Sequence, residues 1–216
     1  MGKTGNSLHL FCPSVFVFLL IFAGWANAGD APEAADACFE CHGDKGINKD
    51  GDKAGIPTIA GASAFFLENQ LLIFQKEARP CVKEVFEEAD EDLAVESHCG
   101  LAKELSEKEV KKLADYFASQ DFVPADQAVD QKMARIGRKI HKQRCDKCHA
   151  AAGSLAIDDA GILAGQWKPY MLDQLQYYKK GKRWQPKKMK PKMEELDNRD
   201  IQALAEYYAS QGDKKF

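Results

Sequence analysis

The sequence predicts an all-α protein built as two tandem domains. Three observations carry that expectation: an internal repeat, helical periodicity behind capping residues, and no convincing alternating strand. Of the 216 residues, 104–120 (ELSEKEVKKLADYFASQ) and 195–211 (ELDNRDIQALAEYYASQ) match at a constant offset of 91, with eight of 17 pairs identical. Upstream, Gly61, Gln70, Leu71 and Arg79 match Gly165, Gln174, Leu175 and Arg183 at an offset of 104. The change of offset puts the length differences in loops, where insertions are tolerated.

The N-terminal stretch stands apart from the repeat. Lys3, an apolar run from Val15 to Ala23 and the small-residue site Ala26-Asn27-Ala28 have the anatomy of a signal peptide over residues 1–28, implying export to the periplasm. The run is too short to span a bilayer, which needs about 20 apolar residues, and no later segment reads as a membrane span. A retained anchor is the alternative. Cleavage after Ala28 leaves 188 residues, read as a first domain over 29–122, a linker over 123–130 containing Pro124, and a second domain over 131–216.

Within the first domain a middle helix is expected from Ser63 to Gln75. Ser106 and Glu109 then form a capping box that opens a helix with apolar face Val110, Leu113, Ala114 and Phe117. The second domain begins with a helix from Gln131 to Arg144 and has its middle helix from Lys168 to Lys179. Asp197 caps the last helix, whose inward face is Ile201, Leu204, Ala205 and Tyr208. Domains of this size bury only modest cores of their own.

Each repeat carries Cys-x-x-Cys-His: Cys38-Phe39-Glu40-Cys41-His42 and Cys145-Asp146-Lys147-Cys148-His149, at an offset of 107. This is the spacing of c-type haem attachment. The two thiols add to the two vinyl groups, and the adjacent histidine lies under the iron. A zinc site or redox dithiol is the competing reading of a single Cys-x-x-Cys. Two such motifs, each followed by histidine and each in one copy of a repeat, favour two covalently bound haem c groups.

Haem iron in electron carriers is commonly held by a His/Met pair. Met189 lies seven residues before Leu196, where the last helix approaches, and is the expected partner of His149. Met193 is the rival, and Met171 is expected to pack. Residues 29–132 contain no methionine, and the residue seven before Leu105 is His98. His98 is therefore expected to complete the first iron with His42. The alternatives are a loop histidine above a five-coordinate iron, or ligation by Cys99. Cys81 and Cys99 remain once the haems are assigned, and in an oxidising compartment they are expected to pair. Closing such a loop stabilises by roughly 3 kcal/mol.

Charge divides the halves. Residues 29–120 carry 20 acidic and 10 basic side chains, residues 121–216 carry 13 and 19. Lys179, Lys180, Lys182, Arg183, Lys187, Lys188, Lys190 and Lys192 surround Met189, so the second domain is expected to dock an acidic electron acceptor. An exported haem protein is not expected to bind nucleic acid.

Ala164-Gly165-Gln166, Tyr170, Gln174-Leu175, Gly181 and Arg183 resemble the di-haem class I cytochromes of the cytochrome c4 type. Within that group, Gly137-Arg138-Lys139-Ile140-His141, residues 162–170 (ILAGQWKPY) and Lys187-Lys188-Met189 look most like the haem subunit of flavocytochrome c sulfide dehydrogenase. The resemblance implies two class I cytochrome domains, each a helical wrap around one haem, and a flavoprotein partner that oxidises sulfide. It also implies a proline carbonyl that accepts the proximal histidine N–H. Pro57 is expected to serve His42, and Gly161 takes the corresponding place for His149. His98 and the Cys81–Cys99 insertion depart from the pattern. The expected role is electron transfer with no catalytic residues. A free-standing cytochrome c4-like shuttle, or an enzyme of the di-haem thiosulfate dehydrogenase or peroxidase type, is the alternative.

Overall fold

The computed structural model describes residues 1–2, 30–81, 97–157 and 159–213. The expected signal peptide therefore lies outside the described residues, apart from Met1 and Gly2, as does the acidic stretch 82–96. The described residues form helices with one isolated bridge, Ile157–Ala160, and no other strand pairing. None of the described helices is long and apolar enough to cross a membrane.

The α-helices longer than one turn are α1 (Asp36–His42), α2 (Ala64–Gln75), α3 (His98–Glu104), α4 (Glu107–Ala118), α5 (Gln131–Arg144), α6 (Lys168–Lys179), α7 (Lys190–Glu194) and α8 (Asn198–Ala209). Their packing falls into two groups. α2 lies against α3 and α4, while α8 lies against α5 and α6, with α7 on α6. Ser63 caps α2 by accepting from the Phe66 N–H, and both terminal helices open on complete capping boxes, Ser106/Glu109 and Asp197/Asp200. Their inward faces are fully covered: Val110, Leu113 and Ala114 in α4, Ile201, Leu204 and Ala205 in α8.

The repeat is visible in hydrogen bonding as well as sequence. The Gly61 N–H donates to Phe117 O at 2.9 Å and the Gly165 N–H to Tyr208 O at 2.9 Å, tying one loop to the end of the terminal helix in each half. Both glycines have φ near +70° (72° and 70°), where a side chain would be strained. One difference lies at the attachment sequences. Residues 38–42 belong to α1, whereas 145–149 follow α5 as turns, with the His149 N–H donating to Cys145 O at 2.9 Å.

The segment read as a linker has no regular structure, yet it is fitted. Phe122 is buried, the Ala125 N–H donates to Gly165 O at 2.8 Å, and Gln127 Nε2 donates to Gln166 O at 2.8 Å.

Between the halves lies a reciprocal quartet. Arg79 donates to Gln70 Oε1 at 2.8 Å and to Gln174 Oε1 at 2.9 Å. Arg183 donates to Gln174 Oε1 and to Gln70 Oε1, both at 2.6 Å. Each guanidinium lies over an aromatic ring, Arg79 over Phe74 at 4.1 Å and Arg183 over Tyr178 at 4.5 Å. Gln166 adds a two-way contact, accepting from the Thr58 N–H at 2.9 Å and donating to Thr58 O at 2.8 Å, and Trp167 Nε1 donates to Asn48 O at 3.0 Å.

Candidate haem sites

In the first half, α1 ends at His42 and α3 begins at His98, and the two bring their rings face to edge. The ring centres are 6.3 Å apart and the planes are inclined at 86°. Two imidazoles bonded to opposite sides of one metal at about 2 Å each would have ring centres roughly 6 Å apart. His42 Nδ1 is 2.7 Å from Pro57 O. The carbonyl can only accept, so the proton sits on Nδ1 and Nε2 is left with a lone pair for a metal. Burial lowers the His42 pKa, and burial together with His42 and Arg79 pushes that of His98 down to about 3. Both rings are therefore neutral, the form that ligates.

His98 is helical rather than part of a loop. Ser97 caps α3 by accepting from the Gly100 N–H, and the His98 ring stacks on Phe74 at 3.9 Å between centres. Cys99 is buried and bonded to Cys81, with Cα atoms 5.3 Å apart. The thiol next to His98 is thus engaged elsewhere, and the bond ties the start of α3 to the chain just after Arg79. Mass analysis of non-reduced, haem-loaded protein should find Cys81 linked to Cys99 and no free thiol. Two free thiols in periplasmic material would refute the pairing.

Cys38, Cys41, His42, Pro57 and His98 line one cavity with the apolar side chains Leu67, Phe74 and Leu113. Burial and the neighbouring Cys41 push the Cys38 pKa up to about 12. That suits a thiol capped by carbon better than a zinc-bound or redox-active thiolate.

The second cavity is lined by Cys145, Cys148, His149, Met189 and Met193, together with Met171 and Tyr208. Met171 and Met193 are buried in the apolar core, and Met189 packs partly buried against it. Both rival methionines thus border the space that His149 borders. Burial and the nearby His141 push the His149 pKa down to about 4.

The expected Gly161 carbonyl does not serve His149. The buried His149 Nδ1 has no hydrogen-bond partner among the described residues. Gly161 instead lies against the first half, where an added Cβ would come within 2.6 Å of Phe66 Cζ. Contact between the halves, not imidazole orientation, sets this position.

The Arg79–Arg183 quartet borders both cavities: Gln70, Arg79, Tyr170 and Gln174 line the first, and Tyr170, Gln174 and Arg183 the second. Both guanidiniums are buried, and Nε of each has no hydrogen-bond partner among the described residues. Burial and mutual repulsion lower the Arg79 pKa to about 10. Two buried cations need anions, and the carboxylate arms of haem groups held in the two cavities would supply that charge. Paired free cysteines, neutral imidazoles and buried arginines together fit two haem c groups.

The repeat singled out Gln70, Arg79, Gln174 and Arg183 as matching residues without showing that they meet. The Phe74 ring under His98 was invisible, since phenylalanine in a helix reads as core. In the lysine-rich region, Lys180, Lys182, Lys187, Lys188, Lys190 and Lys192 are exposed and Trp184 is 48 % exposed, whereas Arg183 turns inward.

Residues 132–207 match the family model described as cytochrome C oxidase, cbb3-type, subunit III. The chain is 28 % identical over 198 residues to a cytochrome c4 of Stutzerimonas stutzeri, covering 86 % of this chain and 88 % of that protein. It is 28 % identical over 200 residues to a thiosulfate dehydrogenase electron acceptor of Stutzerimonas stutzeri strain A1501, covering 87 % and 84 %. The structure of reduced recombinant cytochrome c4 from Pseudomonas stutzeri superposes with a TM-score of 0.66 at 26 % identity, over 85 % of this chain and 99 % of that one.

Proposed function

We propose that this chain, a cytochrome c4-like di-haem class I cytochrome, carries electrons in the periplasm from a sulfur-compound dehydrogenase to an acidic acceptor. Its cofactors are two haem c groups, each supplying a one-electron iron couple. Cys38 and Cys41 would attach the first, and His42 and His98 would hold its iron. Cys145 and Cys148 attach the second, held by His149 and Met189. The observation that carries the reading is the 6.3 Å between the His42 and His98 ring centres. An iron held by two of the protein's own side chains would suit electron transfer and leave no open site for a substrate.

The donor we favour is a sulfide-oxidising flavoprotein, supported by the likeness of residues 137–141, 162–170 and 187–189 to the haem subunit of such a complex. Similarity to a thiosulfate dehydrogenase electron acceptor supports a second donor, a thiosulfate-oxidising enzyme. The acceptor meets the exposed lysines around Trp184, where opposite charge speeds encounter and the ring supplies a buried anchor.

Rapid mixing of the oxidised holo-protein with each donor and its substrate, followed through haem absorbance, tests the reading. Sulfide with its flavoprotein should reduce the haems fully, and thiosulfate alone should not. Turnover of thiosulfate by the purified chain unaided would overturn it in favour of an enzyme. Reoxidation by an acidic acceptor should slow as ionic strength rises, and a Lys187→Gln/Lys188→Gln variant should react several-fold more slowly at low salt only.

A further inference from the structure

His141, in the last turn of α5, is only 2 % exposed. Its Nε2 is 3.2 Å from Asp146 Oδ1 and its Nδ1 is 3.0 Å from Tyr208 Oη. The Asp146 side chain is 52 % exposed, whereas Tyr208 is buried and its hydroxyl lies within interaction range of the Cys145 sulfur. A continuous line of polar groups thus runs from water through Asp146, His141 and Tyr208 to the sulfur that attaches the second haem.

Packing does not require these groups, and the repeat supplies the comparison. At the offsets that match the two halves, His141, Asp146 and Tyr208 correspond to Ala34, Phe39 and Phe117. There the same place beside Cys38 is an apolar cluster. A titratable line is present at the second attachment site and has no counterpart at the first.

We propose that His141 is a proton-binding site coupled to the haem at Cys145, taking one proton from solvent through Asp146 when that iron gains an electron and returning it on oxidation. The inference rests on the reading that Cys145 and Cys148 carry a haem. The balance is one electron from the donor and one proton from water onto the imidazole, both released in reverse. In neutral His141, the Nε2–H donates to Asp146 and Nδ1 accepts from the Tyr208 hydroxyl. Once protonated, both ring nitrogens donate, so the Tyr208 hydroxyl turns and donates to the Cys145 sulfur instead. The proton therefore alters a contact at the haem itself.

The remaining charged and titratable groups here are Tyr207 of α8, whose ring centre is 5.2 Å from that of His141, Arg138 and Arg144 of α5, and His149, which senses the His141 charge. Burial lowers the His141 pKa and Asp146 raises it. Loss of one positive charge at the iron strengthens proton binding, so the potential of the second haem falls as pH rises through the titration.

Redox titration of the full holo-protein between about pH 5 and pH 9 tests this. The second haem should lose up to about 59 mV per pH unit at its steepest, the value for one proton per electron. The first haem should show no such region. His141→Gln should flatten the second haem while both low-spin spectra persist. Asp146→Asn, a half-exposed change that a folded protein tolerates, should move the region to lower pH. A flat wild-type curve, a slope that survives in His141→Gln, or an Asp146→Asn curve that coincides with wild type would each overturn the proposal. Mass analysis for two bound haems separates failure of the coupling from failure of the underlying reading.

Discussion

Replacing His98 with alanine should turn half of the ferric iron high-spin. His98 enters the first cavity from the cap of α3, held beneath by the Phe74 ring and beside by the Cys81–Cys99 bond. The region supplies no second ligand: residues 29–132 hold no methionine and no histidine besides His42 and His98, and Cys99 is already paired. His98→Met should keep the first iron six-coordinate and raise its potential, because methionine raises the potential of a His-ligated haem. In the unaltered protein the first haem should be the lower of the two. The acidic half favours its ferric form, and two imidazoles act in the same direction. Electrons would then run from the first haem to the second and leave over the lysine face. A redox titration with His98→Met and Met189→His variants assigns the two steps. If the haem at Cys38 and Cys41 has the higher potential, this direction is wrong, and a wholly low-spin His98→Ala protein would remove His98 from the iron.

Gly137→Val should be among the most damaging single changes outside the haem ligands. Gly137 lies where α5 crosses α8, and a Cβ there would sit 1.9 Å from Ala203 O and 2.7 Å from Tyr207 Cβ. The obstacle is helix backbone, so no rotamer change relieves it, and the helices must part along the core that borders His149. Overpacking costs about 1–3 kcal/mol where side chains can yield. Here the expected loss is about 3 kcal/mol or more, or roughly 6–12 °C in Tm for a chain of this length. Gly51→Ala is the control, since nothing lies within 4 Å of its added Cβ and it borders neither haem cavity. Equal melting temperatures for the two variants would show that the crossing yields more readily than its geometry implies.

Local rules made much of this protein readable. Helix starts at Ser63, Ser106, Asp130 and Asp197 follow from a side-chain oxygen accepting an orphan N–H, which depends only on neighbouring residues. The attachment sequences were readable for the same reason, because thioether geometry fixes the Cys-x-x-Cys-His spacing. What joins distant segments was not. Gly161 was expected to orient His149, but His149 Nδ1 has no partner among the described residues, and Phe66, 95 positions earlier in the chain, fills the space where a Gly161 side chain would stand. Arg183 was counted with the surface lysines, yet its partner Gln70 draws it inside. Charge patterning along one segment cannot tell a solvated cation from one buried against another segment.

The Gln70–Arg79–Gln174–Arg183 contact has one further property. Each half presents the same patch, a glutamine and an arginine nine positions apart, and each arginine reaches the glutamine of the opposite copy. That is an isologous interface, the pattern two identical subunits make around a two-fold axis. Such a dimer forms only as far as protomer concentration allows. With residues 123–130 joining the copies and Phe122 buried beside them, association becomes intramolecular and independent of dilution. Joined in this way, the copies can differ locally without loss of the shared contact, as Ala34 does from His141 beside the two attachment sequences.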